Sequence, residues 1–149
     1  MKIVRVGDHF SCQLGRDERT LLRDILNLYP CISSAAQPGS PGGWNSTNQL
    51  LEEALAEQRA ENKKRVQTFL RNRYRFQHSD KDLRLSLSTA ELEWLLQILN
   101  DVRIGNWILL GSPDEKFELK MLDEKTAPHF WAMEMAGHFE MQILSALKD

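Results

Sequence analysis

The chain has 149 residues, of which 42% are hydrophobic and 27% charged, and its formal net charge is −2. This length suits one domain over residues 1–149 with a buried core, and the composition excludes a collagen-like, low-complexity or wholly disordered chain. No apolar run reaches the ~20 residues that span a bilayer, and the N-terminal segment contains no apolar stretch typical of a signal peptide. We therefore expect a cytoplasmic protein without membrane contact. Cys12 and Cys31 lack the spacing of a metal or redox motif and are expected to be free thiols.

Residues 3–14 alternate apolar and polar side chains on both sides of Gly7 and Asp8. A period of two around a Gly-Asp pair predicts an antiparallel hairpin. A two-stranded hairpin needs further cover to be stable. Residues 81–88 offer that cover, because they alternate leucines with polar residues, and we expect all three segments to share a sheet.

Helical spacing of apolar residues follows the hairpin. It predicts one helix over 17–29, ended by Pro30, and a long one from 48 to about 77. The apolar stripe of the long helix lapses between 56 and 65, so the helix either projects past the core or breaks into two. The segment 30–47 between them has three of the five prolines and three of the eight glycines, which predicts a long flexible loop. Its Trp44 either anchors the loop to the body or belongs to a disordered segment.

Two later helices, over 89–110 and 127–147, are apolar almost all round and are expected to pack together as the core. Ser88 and Glu91 have the spacing of a capping box, which marks the start of the first. Helix-start signals from Ser112 onward also predict a short helix through Met121, with a strand as the alternative. The fold class expected is mainly α (α+β), a helical bundle around two apolar central helices with a small antiparallel β-sheet.

His129, Glu134 and His138 form a weak metal-site candidate on the last helix. Glu134 and His138 are one turn apart and share a face, but His129 lies on the opposite side. The pattern is not that of a zinc protease motif, so packing and capping roles are favoured over a metal site.

Asn100, Asp101 and Arg103 are polar residues inside an otherwise apolar helix. A buried charge is costly unless it is paired, so Asp101 and Arg103 are expected to find partners or to face a cleft. Glu93, Gln97 and Asn100 also form one stripe that could be a solvent-facing edge. A structural role for this group is favoured over a binding role.

Residues 59–75 contain seven basic residues and one acidic residue, a local net charge of +6 that leaves −8 on the rest of the chain. The basic face is assigned to Lys63, Lys64, Arg71, Arg73 and Arg75. A basic stripe beside aromatics can bind nucleic acid. The same stripe can also meet an acidic surface of a protein partner or of a second copy, such as the surface formed by 114–124, and this alternative is favoured.

The order of segments resembles that of a known group of proteins over most of the chain. The shared segments are Leu21-Leu22-Arg23-Asp24-Ile25-Leu26, a variable loop, Arg59-Ala60-x-Asn62, a strand, Leu99-Asn100-Asp101-Val102-Arg103 and Leu109-Leu110-Gly111. They resemble a bacterial family of unknown function, best known in actinobacteria, whose gene often neighbours that of the Clp protease adaptor. The resemblance implies a final aromatic-rich helix, a cytoplasmic location and a link to regulated proteolysis. It also draws together Arg59, Asn62, Asn100, Asp101 and Arg103 as one polar cluster linking two helices.

No nucleophile elbow, phosphate-binding glycine loop or catalytic carboxylate pair occurs in the sequence, so we assign no catalytic residue and no cofactor. The leading hypothesis is a non-enzymatic interaction or regulatory protein, acting as a homodimer or in a partner complex through the basic face and the Trp44 loop. The competing hypothesis is a small-molecule or metal-binding protein or enzyme, with a site near Asp101, Arg103, His129, Glu134 and His138. Nucleic-acid binding through 59–75 is the third.

Overall fold

The structure, a computed structural model, describes residues 1–31, 46–72, 77–78 and 82–149. In chain order the elements are β1 (Lys2–Val6), β2 (His9–Gly15), α1 (Arg16–Asn27), α2 (Ser46–Arg71), β3 (Gln77–His78), β4 (Asp82–Ser88), α3 (Thr89–Leu109), a short 3-10 helix (Leu119–Met121) and α4 (Ala127–Lys148). Helices packed on a small antiparallel sheet confirm the expected mainly α (α+β) class.

The sheet has the strand order β1-β2-β4-β3, with all neighbours antiparallel. The predicted hairpin is confirmed: Val6 pairs with His9 across a two-residue turn, in which Gly7 has a φ of 64° that suits glycine. β4 pairs with β2, so that Cys12 lies opposite Leu85 on the buried face of the sheet. The expectation that residues 81–88 join the hairpin in one sheet is therefore also confirmed, for Asp82–Ser88.

α3 and α4 pack closely against each other and supply much of the core, as expected. Leu95, Leu99 and Val102 of α3 and Phe139 and Ile143 of α4 are almost completely buried. The capping box at the start of α3 is confirmed by reciprocal hydrogen bonds. The outer faces of both helices keep large apolar side chains exposed. No helix among the described residues is both long and apolar enough to cross a membrane.

α2 is one continuous helix through its polar middle, so of the two alternatives left open for this stretch, the break into two helices is wrong. Its buried apolar side chains, Val66 and Phe69, lie near its C-terminal end, whereas Leu50 and Leu51 near its start are exposed. The helix begins at Ser46, inside the predicted loop 30–47. Residues 32–45 of that loop, including Trp44, lie outside the described part of the chain.

The predicted short helix after Ser112 is wrong, and so is the alternative strand. Only Leu119–Met121 is helical, as a 3-10 turn. Ser112 has a positive φ of 52°, and the Asp114 side chain accepts a hydrogen bond from the Lys116 backbone N–H at 2.9 Å. Such a side-chain turn competes with the helical backbone pattern that the same residue types otherwise favour.

Candidate binding cleft between α2 and α3

α2 runs antiparallel to α3, and the side chain of Asn62 ties the two helices to the segment that follows α1. The indole Nε1 of Trp94 donates a hydrogen bond to Asn62 Oδ1 at 3.2 Å. Asn62 Nδ2 in turn donates to the Tyr29 hydroxyl at 3.4 Å. We call these three hydrogen-bonded side chains, Tyr29, Asn62 and Trp94, the Asn62 bridge. Because it satisfies the polar atoms of two buried aromatic residues, it fixes α2 and α3 at this level.

Two further contacts join α2 to α3 on the C-terminal side of Asn62. The rings of Phe69 and Trp94 are 5.8 Å apart, and the Arg65 guanidinium lies 4.4 Å from the centre of a Trp94 ring. A cation over an indole face is an attractive contact. Trp94 therefore joins α3 to α2 at Asn62, Arg65 and Phe69, and a separate cavity of about 210 Å³ lies beside these contacts.

On the other side of the Asn62 bridge the two helices leave an open cleft of about 310 Å³. Leu55 of α2 forms one wall, and Ile104 and Ile108 of α3 form the other. Pro30 and Cys31, which follow α1, form part of the base. The polar side chains of Gln58 and Gln97 also line this α2–α3 cleft, so its walls present apolar and polar groups side by side.

Two opposite charges, Arg59 and Asp101, lie at the closed end of the α2–α3 cleft, next to the Asn62 bridge. Arg59 Nη1 is buried and has no hydrogen-bond partner among the described residues. Burial raises the pKa of the Asp101 carboxyl, and the Arg59 charge pulls that pKa in the opposite direction. The pKa of the Tyr29 hydroxyl is raised as well, first by burial and then by the Asp101 charge, against the hydrogen bond from Asn62 and the Arg59 charge.

Cys31 lies at the base of the α2–α3 cleft but is poorly suited to nucleophilic chemistry. Burial raises the pKa of its thiol to about 11, so the reactive thiolate is scarce at neutral pH. Asn106 Nδ2 donates to its sulfur at 3.3 Å, and the thiol donates to the Leu28 carbonyl at 3.3 Å. A Cβ at Gly105 would lie 2.6 Å from the Cys31 Cβ, so this close approach requires glycine.

The remaining two members of the predicted polar cluster lie on the α4 side of α3. Arg103 Nε contacts Glu140 Oε2 at 3.1 Å, and Arg103 Nη2 donates to Asn100 Oδ1 at 2.9 Å. Burial raises the pKa of Glu140, and the Arg103 charge opposes that shift. The structure therefore divides the cluster: Arg59 and Asp101 line the cleft and Asn62 lies next to it, while Arg103 joins α3 to α4 and is hydrogen-bonded to Asn100.

The candidate metal ligands of α4 are spread over different surroundings. His129 Nδ1 contacts Asn106 Oδ1 at 3.0 Å, at the α3 boundary. His138 lies beside the Phe139 ring and lines a separate cavity near Met1, while Glu134 is exposed. Within the described ranges, no group of three or more histidine, cysteine or acidic residues could hold a metal ion.

Of the predicted basic face, Lys63, Lys64 and Arg71 are exposed on α2. Arg73 and Arg75 lie outside the described residues. Phe69, an aromatic residue beside the basic face, is buried against Trp94, so its ring is not exposed for stacking on bases.

Several cleft residues were not singled out by the sequence. Ile104 and Ile108 are four residues apart, as are Leu51 and Leu55, so each pair shares a helix face. Both pairs fit a core stripe equally well, and only the antiparallel placement of the two helices shows which apolar residues stay exposed. No family model, curated protein or solved structure matches this chain.

Proposed function

We propose that the protein acts by binding a partner protein without catalysing a reaction, and that an apolar segment of the partner occupies the α2–α3 cleft. A segment that presents apolar side chains at helical spacing can dock in a groove between two helices. The partner's apolar side chains contact Leu55 on one wall and Ile104 and Ile108 on the other.

The observation that carries this proposal is the exposed apolar wall of α3. Ile104 and Ile108 are 42% and 41% exposed although they flank a cavity. Single exposed apolar residues are ordinary on protein surfaces, but a set that lines a concave site is typical of a binding site. Leu51 is also exposed, one turn before Leu55, and extends the apolar surface along α2.

Two titratable groups of the cleft, Cys31 and Tyr29, are poorly suited to nucleophilic or general-base catalysis. The thiol of Cys31 and the hydroxyl of Tyr29 both have raised pKa values, which keep them protonated at neutral pH. Neither is therefore an activated nucleophile or a general base under these conditions. Both cysteines are free thiols, as is usual for proteins of a reducing compartment, and we propose that the protein acts in the cytoplasm.

A selection with random peptides tests the proposal. Two libraries are presented to the purified protein, one displayed within a loop of a carrier and one at the free C-terminus of the same carrier. We expect enrichment of peptides rich in apolar residues, and at least about tenfold weaker binding of the synthesised peptides to an Ile108→Glu variant. Fluorescence anisotropy measures the dissociation constants.

Met141→Glu is the matched control, because Met141 is an exposed apolar residue of α4 that lines a different cavity. Leu55→Glu tests the opposite wall and covers the case in which Ile108→Glu does not fold. The proposal would be overturned if the enriched peptides bind both cleft variants with the same affinity as they bind the wild type. An absence of enrichment would also overturn it. A dimer that Ile108→Glu separates in light scattering would identify a second copy as the occupant and overturn the choice of a different partner.

A further inference from the structure

Resting on the proposed function, we propose that the closed end of the α2–α3 cleft binds the C-terminal carboxylate of the partner segment through Arg59. The occupant is thus an apolar C-terminal peptide rather than a segment in the middle of a chain. Ile104, Ile108 and Leu55 contact its side chains, and the Arg59 guanidinium binds its terminal carboxylate.

The shape of the cleft favours a chain end. Asn62 lies one turn after Arg59 on α2, and the Asn62 bridge joins α2 to Trp94 of α3 at that level. Beyond it, Phe69 and Trp94 are in contact. A segment that enters between Leu55 and Ile108 and runs toward Arg59 meets this closed wall, so it is expected to end there.

The polar groups at the closed end favour a carboxylate as that end. Arg59 Nη1 is buried without a hydrogen-bond partner among the described residues, and a buried unpaired donor costs free energy. Guanidinium and carboxylate groups have matching planar geometry and form strong charge-assisted hydrogen bonds. A carboxylate at Arg59 would satisfy the donor that the rest of the described chain leaves unsatisfied.

Asp101 sets the strength of this interaction. Its carboxylate shares the closed end with Arg59 and, when ionised, repels a second carboxylate there. We therefore expect Asp101→Asn to bind the carboxylate peptide more tightly, whereas Arg59→Met binds it more weakly. Two variants of one site with opposite effects would not result from a general loss of structure.

The experiment uses the full chain and the peptides enriched from the C-terminal library. Each peptide is synthesised with a free carboxylate and with a C-terminal amide, and both dissociation constants are measured by fluorescence anisotropy. We expect the amide to bind about tenfold more weakly to the wild type, and the two forms to bind Arg59→Met equally. Lys64→Met is the matched control, because it removes an exposed positive charge from the same helix and should keep the wild-type preference.

The outcomes separate this inference from the proposed function. If peptides bind in an Ile108-dependent way but amide and carboxylate forms bind equally to the wild type, the carboxylate site is wrong and the partner-binding function stands. An Arg59→Met variant that keeps the full carboxylate preference also overturns the site. If neither library is enriched, both proposals fail.

Discussion

Arg59 and Arg103 differ in whether the residues around them supply hydrogen-bond partners for the guanidinium group. Arg103 has both Glu140 and Asn100 as partners, and it lies where α3 meets α4. Arg59 has a buried nitrogen without a partner among the described residues, and it faces a cavity. A buried polar group that the fold leaves unsatisfied needs an explanation, and the carboxylate that we propose to bind at Arg59 would provide one.

Asp101→Asn is expected to raise the free energy of unfolding at neutral pH. Burial raises the pKa of Asp101 in the folded protein, more than the Arg59 charge lowers it, so the folded state binds this proton more tightly than the unfolded chain does. The stabilisation by the proton is complete below the unfolded pKa of about 3.9 and is lost as the pH rises through the folded value. Asparagine does not ionise, so the advantage of the variant should appear at pH 7 and shrink toward pH 4.

Urea unfolding across that pH range measures the difference, with Glu93→Gln as the control at an exposed position of the same helix. A variant that is less stable than the wild type at pH 7 would show that attraction between Arg59 and Asp101 outweighs the cost of burying the carboxylate.

At the scale of elements, two glycines within helices differ in how much space a side chain would find: Gly105 is tightly packed and Gly137 is not. A Cβ at Gly105 of α3 would meet the Cys31 Cβ at 2.6 Å, whereas a Cβ at Gly137 of α4 would meet only Arg103 Cδ, at 3.5 Å. We expect Gly105→Ala to cost about 1–3 kcal/mol through overpacking. Gly137→Ala should stabilise the protein by about 0.5–1 kcal/mol through helix propensity. Urea unfolding of the two variants checks both signs, and a stabilised Gly105→Ala would contradict the close packing of Cys31 on α3.

Local signals predicted element boundaries only where no competing local contact existed. The capping box of Ser88 and Glu91 depends on residues three apart, and both of its hydrogen bonds form as expected, at 2.9 and 3.1 Å. The same kind of signal at Ser112 failed, because a positive φ there and the turn at Asp114 direct the backbone away from a helix.

At the scale of the whole molecule, the core could be predicted from the sequence but the cleft could not. Periodicity identifies buried faces, and it correctly placed α3 and α4 together. The cleft depends instead on segments far apart in the chain, since Cys31, Leu55 and Ile108 come from three different parts of it. The polar cluster that the resemblance implied accordingly included Arg59, Asn62 and Asp101 but did not separate them from Asn100 and Arg103.

Asn62→Leu tests whether the Asn62 bridge holds together α2, α3 and the segment that follows α1. The change removes the acceptor of the Trp94 indole N–H and the donor to the Tyr29 hydroxyl, so it should cost about 1–3 kcal/mol of unfolding free energy. Trp94→Phe deletes the indole N–H while keeping a ring against Phe69. If the bridge is the cause, the double variant should lose less than the sum of the two single losses, because the second change finds its partner already absent. Gln67→Leu, at an exposed position of α2, should change stability by less than about 0.5 kcal/mol. Additive losses would mean that Asn62 and Trp94 do not stabilise the fold through their shared hydrogen bond, and that the closed end of the cleft does not depend on Asn62.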